Sequence, residues 1–461
     1  MFTEGLIQFV NNTNYDRLPP ELVSAAKWAI LDYLAVAMAG SQEPSGRIMS
    51  EMVKESRSPA EATVIGGRYK ASCTLAALTN GTSAHVQDYD DCLDFPNAGL
   101  AHPTAGTFSG LLTVGEKHHA AGKDLLTAYC LGIEAYGKTG LLVVESGVGG
   151  HGWDWTGVLG VLGGTVALSK LLKLDEYKMM MALGTAATMS SGTMRNFGSM
   201  AGHIHGGDAA RNAIEAVTLA QKGYTATYPG ILEGPGGFYN GFSGNSGMVP
   251  EKVQQERLNA LGNPWNLLSP GLMFKYYPCA HIAHFGVYAA QQLKEKYKFD
   301  WRHIGEIEFR QPQTLARNSS PPPPQNGVQG RFNMGYCLCR ALIHGGIEFG
   351  FFTDEAVKDP NTLELMSKLK WTVAEQDYHA GPFGYQEVVL KIKDGNTYSC
   401  RVDHPKGEPQ NPQSPEELIG KFRKCAAYAG YEESTVSRMK DMVLDFENIK
   451  DITQLTALLA Q

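Results

Sequence analysis

The sequence predicts a mainly α-helical protein that has a large all-helical domain and a smaller α+β domain. The chain has 461 residues, which exceeds the length over which one hydrophobic core keeps growing. Apolar side chains recur at helical spacing up to about residue 265, and an alternation typical of strands begins after Pro278. We therefore expect a helical domain in residues 1–269, an α+β domain in residues 270–404, and a return to the helical domain in residues 405–461.

The first part of the chain contains seven segments with the pattern of helices. The first segment begins at Pro19-Pro20, repeats apolar side chains at helical spacing, and ends at Gly40. The other six are rich in Ala, Leu and Gly, and they cover residues 71–83, 106–118, 123–137, 157–172, 176–189 and 209–222. Because no strand with a clean two-residue alternation interrupts them, we expect helices that pack closely in layers.

The remainder of the chain combines strands and helices. Residues 305–310 alternate apolar and polar side chains, and residues 387–392 and 397–402 flank the pair Asp394-Gly395. This pattern predicts a strand followed by a hairpin with a type I′ turn. Helical spacing returns from Pro415, which predicts that the C-terminal residues rejoin the first domain.

The composition restricts the partners and the compartment. The net charge is -7 and no stripe of Lys and Arg occurs, which argues against binding to nucleic acid. The eight cysteines form no CxxC pair and no dense framework, which indicates reduced thiols. The N-terminus lacks the pattern of a signal peptide, and the apolar residues 157–172 are shorter than the roughly 20 residues that a bilayer requires. We expect a cytoplasmic protein that does not bind a membrane.

The densest polar cluster lies between His85 and His102. Four carboxylates occur there within seven residues: Asp88, Asp90, Asp91 and Asp94. Their mutual repulsion raises some of their pKa values, which suits an acid/base site with histidines nearby. The alternative is a solvated loop in which aspartates cap the neighbouring helices.

Asp154 is the second candidate because it lies between Trp153 and Trp155. Burial against the two indoles would raise its pKa and make it a general acid. The alternative is that Asp154 caps the next helix while the indoles pack in the core.

Cationic side chains provide the remaining candidates. Arg195 and His203 precede a predicted helix, whose N-terminal amides suit a carboxylate together with the guanidinium. A metal site at His203 and His205 is an alternative. Lys275 lies at the predicted domain junction, where it could bind a substrate anion or simply be solvated. No dinucleotide fingerprint and no P-loop motif occurs, so the sequence does not support hydride transfer or ATP chemistry.

These segments, in this order, resemble the MmgE/PrpD family, which includes 2-methylcitrate dehydratase, cis-aconitate decarboxylase and iminodisuccinate epimerase. The resemblance also covers residues 31–41 and the segment from Gly330 to Tyr336. It implies a helical domain built from both ends of the chain, a smaller α+β lid domain, a homodimer, and a site in the cleft between the domains. It also implies proton transfer next to a carboxylate without a metal or an organic cofactor.

The resemblance also assigns site residues. Asp88, His102 and Lys275 fall on positions associated with the family's active site, and Tyr336 ends the last matching segment. We expect five residues to contact the substrate: Lys275, Arg195, His203, Cys92 and Tyr336.

Three positions depart from the family's pattern. Cys92 replaces the Thr of decarboxylating relatives, Asp154 aligns with a His, and Gly202 aligns with a Lys. Since two potential cations are missing, a less anionic substrate than cis-aconitate is expected. This favours dehydration, isomerisation or epimerisation over cis-aconitate decarboxylation.

The sequence therefore predicts a cofactor-independent lyase or isomerase for a small carboxylic acid, of the 2-methylcitrate dehydratase type. Epimerisation and decarboxylation remain alternatives within the family. We expect His102 to be oriented by Asp88 or Asp91, with a raised pKa, and to exchange acid and base roles with Asp154.

Two other classes of protein stay open. Asp90-Asp91-Cys92-Leu93-Asp94 is a DDxxD pattern of the kind by which isoprenoid synthases bind Mg²⁺, although a second acidic motif on a facing helix is missing. A catalytically inactive relative that only binds its ligand would share the fold.

Overall fold

The computed structural model describes residues 1–95, 99–145, 152–243, 249–312, 322–373 and 384–460. These residues form a mainly helical structure with small sheets. The chain divides into two compact units. The first unit contains Met1–Val86, Asp90–Phe274 and Ser414–Gln461, and the second contains Gln87–Tyr89 and Lys275–Gln413.

Helices dominate the first unit, and all seven predicted in its first part are present. In chain order they are α1 Phe2–Asn12, α2 Pro20–Gly40, α3 Pro44–Glu55, α4 Cys73–His85, α5 Pro103–Lys117, α6 Gly122–Glu145, α7 Trp155–Leu171, α8 Glu176–Met189, α9 Ile204–Gln221, α10 Phe238–Ser243 and α11 Glu251–Asn259. After four helices of the second unit, the C-terminal residues add α16 Pro415–Tyr428, α17 Glu433–Leu444 and α18 Thr453–Leu459.

Two short hairpins interrupt these helices. Strand β1 Ala62–Val64 pairs with β2 Tyr69–Ala71, and β3 Leu93–Phe95 pairs with β4 Gly99–Ala101, both antiparallel. The first unit is therefore mainly helical and not all-helical, which corrects the expectation from the sequence. Three residues are too few to display an alternation that a sequence pattern can detect.

Helix α2 forms part of the core of the first unit. Among the described residues it is the one helix that is long and apolar enough to cross a bilayer, but 78% of its most apolar window is buried inside the protein. This burial is that of a core helix, because its apolar side chains are already covered by protein.

Glycines let the helices around the candidate site approach closely. Helix α4 packs against α9, and a Cβ on Gly81 would lie only 2.7 Å from the Cα of Gly207. A Cβ on Gly160 of α7 would lie 2.8 Å from the Cβ of Ala209. These contacts bring the C-terminal end of α4 and the N-terminal ends of α7 and α9 together.

The second unit has a four-stranded sheet with the order β6-β5-β7-β8. Its strands are β5 Ile304–Gln311, β6 Leu369–Val373, β7 Gln386–Ile392 and β8 Thr397–Val402; β6 is parallel to β5, and the other pairs are antiparallel. Its helices are α12 His281–Tyr297, α13 Gly327–Arg331, α14 Met334–His344 and α15 Pro360–Met366. Side chains such as Phe285, Phe309 and Leu338 form the core between helices and sheet.

The predicted hairpin of β7 and β8 is present, but its turn differs from the prediction. A type I′ turn requires positive φ at both central residues. Gly395 has a φ of 95°, whereas Asp394 keeps a negative φ. The amide of Gly395 donates to the carbonyl of Ile392, and the amide of Ile392 donates to the carbonyl of Asn396. The loop is a type I turn followed by a left-handed glycine.

Candidate active site

A carboxylate shared by two histidines lies where α4 ends and α5 begins. His85 is the last residue of α4, and His102 precedes Pro103, which opens α5. The Oδ2 atom of Asp90 lies 2.9 Å from Nδ1 of His85 and 3.2 Å from Nδ1 of His102. All three side chains are buried, and the two imidazole rings are 4.5 Å apart. One carboxylate oxygen therefore serves two imidazoles.

The two imidazoles determine the charge of Asp90. Burial raises the pKa of this carboxyl, but the positive charges and hydrogen bonds of His102 and His85 outweigh burial and hold the pKa well below its usual value. Asp90 is consequently an anion. Asp88 or Asp91 was expected to orient His102, and the structure places the carboxylate of Asp90 beside its imidazole.

Asp91 behaves in the opposite way. It is buried, and it accepts a hydrogen bond from the hydroxyl of Thr104, which in turn lies 2.7 Å from the hydroxyl of Tyr129. Burial, and next the negative charge of Asp32, raise the pKa of Asp91 to about 8. Asp91 therefore keeps its proton at neutral pH. A raised pKa within this acidic cluster agrees with the prediction from sequence.

Cys92 completes the cluster. Its Sγ atom lies 3.8 Å from Nδ1 of His102. Its backbone amide and carbonyl both bond to Met273, which fixes the segment behind the two aspartates. The predicted substrate contact of Cys92 stays a prediction, while its proximity to His102 is a feature of the structure.

Asp154 forms a second histidine–carboxylate pair. One carboxylate oxygen accepts from the amide of Thr156 at the start of α7, and the other lies 2.9 Å from Nδ1 of His205. Burial raises the pKa of Asp154, but the hydrogen bond and charge of His205, followed by the charges of His85 and His102, lower it to about 2. The predicted protonated acid is therefore wrong at this position, and the alternative of a helix cap is confirmed. Trp155 is buried and Trp153 is half-buried.

The N-terminal ends of three helices meet at these residues. The backbone amide of His102, at the start of α5, donates to the hydroxyl of Thr156 in the first turn of α7. Asp154 caps α7 and contacts His205 in the first turn of α9. Helix N-termini carry partial positive charge and unsatisfied amides, so the local field favours an anion.

The other predicted contacts have different surroundings. His203 is buried at the start of α9, with Nδ1 2.9 Å from the hydroxyl of Ser45, whereas Arg195 is exposed. In the second unit, Lys275 is buried and forms an ion pair with Asp88. The hydroxyl of Tyr336 donates to the carbonyl of Phe351 and accepts from Arg340, so its phenol is held in the fold of the second unit.

A cavity of about 620 Å³ opens in the first unit beside His205. Its lining includes the large apolar side chains Ile48, Met49, Trp153, Met200 and Ile204, and the polar or charged side chains Ser45, Thr82, Ser191, Thr193, Asn196, His205 and Asp208. The cavity therefore adjoins one of the two histidine–carboxylate pairs.

Comparison with known proteins identifies the family. The model of the MmgE/PrpD N-terminal domain matches residues 4–251, and that of the MmgE/PrpD C-terminal domain matches residues 277–448. The chain belongs to the MmgE/PrpD family. The resemblance inferred from the sequence is confirmed.

Named relatives of this MmgE/PrpD protein are lyases. A cis-aconitate decarboxylase of Aspergillus terreus is 26% identical over 99% of this chain and 95% of its own length. A cis-aconitate decarboxylase of Homo sapiens is 27% identical, with coverage of 99% and 94%. The mitochondrial 2-methylcitrate dehydratase of Yarrowia lipolytica is 23% identical over 84% of this chain and 76% of its own length. These matches support a lyase.

The metal-binding capacity of this MmgE/PrpD protein is confined, within the described residues, to one group. Ligand atoms of His85, Asp90 and His102 all lie within 4.8 Å of one another, and imidazole with carboxylate suits Zn²⁺. His203 and His205 are not part of such a group, because His203 faces Ser45 and His205 faces Asp154. The family assignment also leaves the isoprenoid synthase interpretation without support.

Residues missing from the sequence-based site are His85, Asp90 and His205. His85 and Asp90 lie inside the acidic cluster, but sequence spacing did not reveal which carboxylate faces His102. His205 is two residues from His203, yet its pairing with Asp154 joins positions 51 residues apart and depends on the packing of α7 against α9.

Proposed function

We propose that this MmgE/PrpD protein is a lyase of the dehydratase type, which eliminates water from a small 3-hydroxy carboxylic acid. One observation carries the proposal. A histidine that can accept a proton and a carboxylic acid that still holds one lie in the same buried cluster, around Asp90 and Asp91. Elimination of water requires both groups.

The chemistry assigns one role to each group. His102 takes the proton from the carbon next to the substrate carboxylate, and the anionic Asp90 stabilises the imidazolium that forms. The electron pair of the C–H bond forms the double bond as the hydroxyl leaves the next carbon. Asp91, protonated at neutral pH, supplies the proton that converts the hydroxyl into water. We propose that no metal or organic cofactor participates.

Decarboxylation is the second candidate because cis-aconitate decarboxylases match this chain over 99% of its length. Loss of CO₂ leaves an electron pair on the substrate that must be protonated, and Asp91 or the protonated His102 could supply that proton. Two positions weigh against a tricarboxylate substrate. Asp154 is an anion at a position that the resemblance aligns with a His of the family, and Gly202 aligns with a Lys.

A homodimer in the cytoplasm is the proposed state of the protein. The family resemblance supports the dimer, and the eight cysteines are free thiols, as a reducing compartment requires. Size-exclusion chromatography with light scattering measures the mass directly. A monomer at micromolar concentration would contradict the dimer.

The test of the reaction uses a panel of 3-hydroxy acids and of unsaturated acids in D₂O. Dehydration predicts growth of enoate absorbance without CO₂ release, and deuterium at the carbon next to the carboxylate in the reverse direction. CO₂ release would select decarboxylation instead. Absence of turnover and of deuterium exchange, with ligand binding retained, would identify an inactive binding relative.

A further inference from the structure

Resting on the proposed function, we infer that the substrate carries a bulky, uncharged apolar substituent that occupies the cavity beside the Asp154–His205 pair. The cavity measures about 620 Å³ and lies wholly within the first unit. A tricarboxylate such as cis-aconitate lacks any substituent of this kind.

The cavity lies close to the acid/base cluster, with two hydrogen-bonded residues, Asp154 and Thr156, between its wall and His102. His205 lines the cavity and pairs with Asp154 at 2.9 Å. Asp154 accepts from the amide of Thr156, and the hydroxyl of Thr156 accepts from the amide of His102. Thr82, another lining residue, lies three positions before His85 on α4. In this proposal, the substituent of a substrate that reacts at His102 extends past Asp154 into this cavity.

Charge in the cavity disfavours additional carboxylates. In the part of the chain that the structure describes, no Lys or Arg lines it. The ionisable lining residues are Asp208 and His205, and each is paired, with Arg211 and Asp154 respectively. A second substrate carboxylate would meet Asp208 without a cation in the wall, so it would lose hydration without gaining an ion pair.

Apolar surface in the cavity favours an apolar substituent. Ile48 is 57% exposed and Met200 is 45% exposed, and both line the cavity together with Trp153. An alkyl or aryl group placed there would remove apolar surface of both ligand and protein from water. Each methylene buried in this way is worth about a fourfold gain in affinity.

A polar group also has a place in the wall. The hydroxyl of Thr82 is buried and has no hydrogen-bond partner among the described residues. A buried hydroxyl without a partner is costly, and a ligand hydroxyl or carbonyl would satisfy it. The favoured ligand is thus an apolar chain with at most one neutral polar group.

The experiment measures binding, so that it does not depend on turnover. The ligands are 3-hydroxy acids with a 2-alkyl group from methyl to hexyl, compared with citrate, and the readouts are calorimetric Kd and thermal shift. We expect Kd to fall about threefold to fourfold per methylene, at least to butyl, and citrate to bind worst. If the alkyl acids bind as expected but none turns over, the substrate inference stands and the proposed reaction fails.

A charge placed in the wall tests the location. Met200→Lys should weaken the butyl acid about tenfold or more and strengthen citrate, because it supplies the missing cation. Met52→Lys is the matched control. Met52 is 50% exposed but does not line the cavity, so this variant should bind the ligands with the same order of affinities as the wild type. A Kd independent of alkyl length, or the tightest binding for citrate in the wild type, overturns the inference. Met200→Lys could instead dissociate an oligomer and leave the order of ligand affinities unchanged. That result would also overturn the inference, since the surface around Met200 would then bind a second copy of the chain.

Discussion

The loop after α4 and the N-terminus of α7 both bury aspartates close to histidines, yet they produce different acids. Asp154 at the start of α7 faces His205 and has its pKa lowered to about 2. In the loop after α4, Asp90 faces two histidines and is likewise anionic, but its neighbour Asp91 faces a hydroxyl and keeps a proton up to about pH 8. Burial alone therefore does not decide the charge of these groups. The partner of each carboxylate does.

The largest effect is expected at His102, the proposed base. His102→Gln should lower kcat by about two to four orders of magnitude while the fold persists, because a neutral amide cannot take the proton. His118→Gln is a matched control, since His118 is exposed at the other end of α5. Steady-state kinetics with circular dichroism provides the measurement. Near-normal kcat in His102→Gln would assign proton transfer to His85 or Cys92 instead.

Asp91→Asn tests whether the loop after α4 supplies the proton donor. We expect kcat to fall about a hundredfold, because the amide keeps the hydrogen bond of Thr104 but has no acidic proton. The wild type should lose activity as pH rises through about 8, where Asp91 deprotonates, and the variant should lack this alkaline limb. The control is Asp94→Asn, three residues further along the chain in β3. An alkaline limb that persists in Asp91→Asn would place the donor elsewhere.

A smaller effect on kcat is expected at the N-terminus of α7. Asp154→Asn should lower kcat only about tenfold, because Asn still caps α7 while His205 loses its charged partner. If His205 positions the substrate, the variant should mainly raise the Michaelis constant for the alkyl-substituted acids. A loss as large as that of His102→Gln would show that Asp154 transfers the proton itself.

The two regions should also differ in how they link stability to pH. The lowered pKa of Asp154 contributes stability that is present above the ordinary carboxyl pKa and is lost as pH falls toward about 2. The raised pKa of Asp91 has the opposite effect: its contribution is complete below the ordinary value and is lost as pH rises toward about 8. Urea unfolding between pH 5 and 8 should show a decline, by at most about 1.4 kcal/mol per pH unit, that Asp91→Asn reduces. An identical slope in Asp91→Asn would contradict the raised pKa.

No effect is expected from removal of metal ions. Exhaustive EDTA treatment should leave kcat unchanged, because His85 and His102 already share the carboxylate of Asp90 as acid/base partners. Loss of activity that Zn²⁺ restores would identify His85, Asp90 and His102 as a metal site. The absorption spectrum of Co²⁺ bound there would then report tetrahedral coordination.

The sequence predicted local secondary structure better than it predicted which side chains contact each other across the fold. Helix α8 has the predicted bounds, since helical periodicity is a local signal, while the three-residue strands β1 to β4 escaped detection. His102 and Asp154 were found because unusual neighbours mark them. Their partners, Asp90 and His205, were not, because packing of α4, α7 and α9 selects one carboxylate or imidazole among several that spacing allows.

The pKa of Asp154 shows the same limit in energetic form. Flanking indoles indicate burial, and burial does oppose ionisation there, but the hydrogen bond and charge of His205, together with the charges of His85 and His102, outweigh it. For Asp91 the inference from sequence succeeded because its partner is a neutral hydroxyl and the charge with the largest effect on it, that of Asp32, has the same sign. The charge of Asp32 raises the pKa of Asp91, as burial does.

The meeting of three helix N-termini at the site also affects how this family can diversify. Backbone dipoles belong to the fold and not to any side chain, so substitution does not remove them. An ancestral protein with Lys at position 202 and His at position 154 could therefore acquire Gly202 or Asp154 and still attract one carboxylate. Loss of cations would then change how many carboxylates a substrate may have without abolishing binding, and new substrates would become accessible through one or two substitutions.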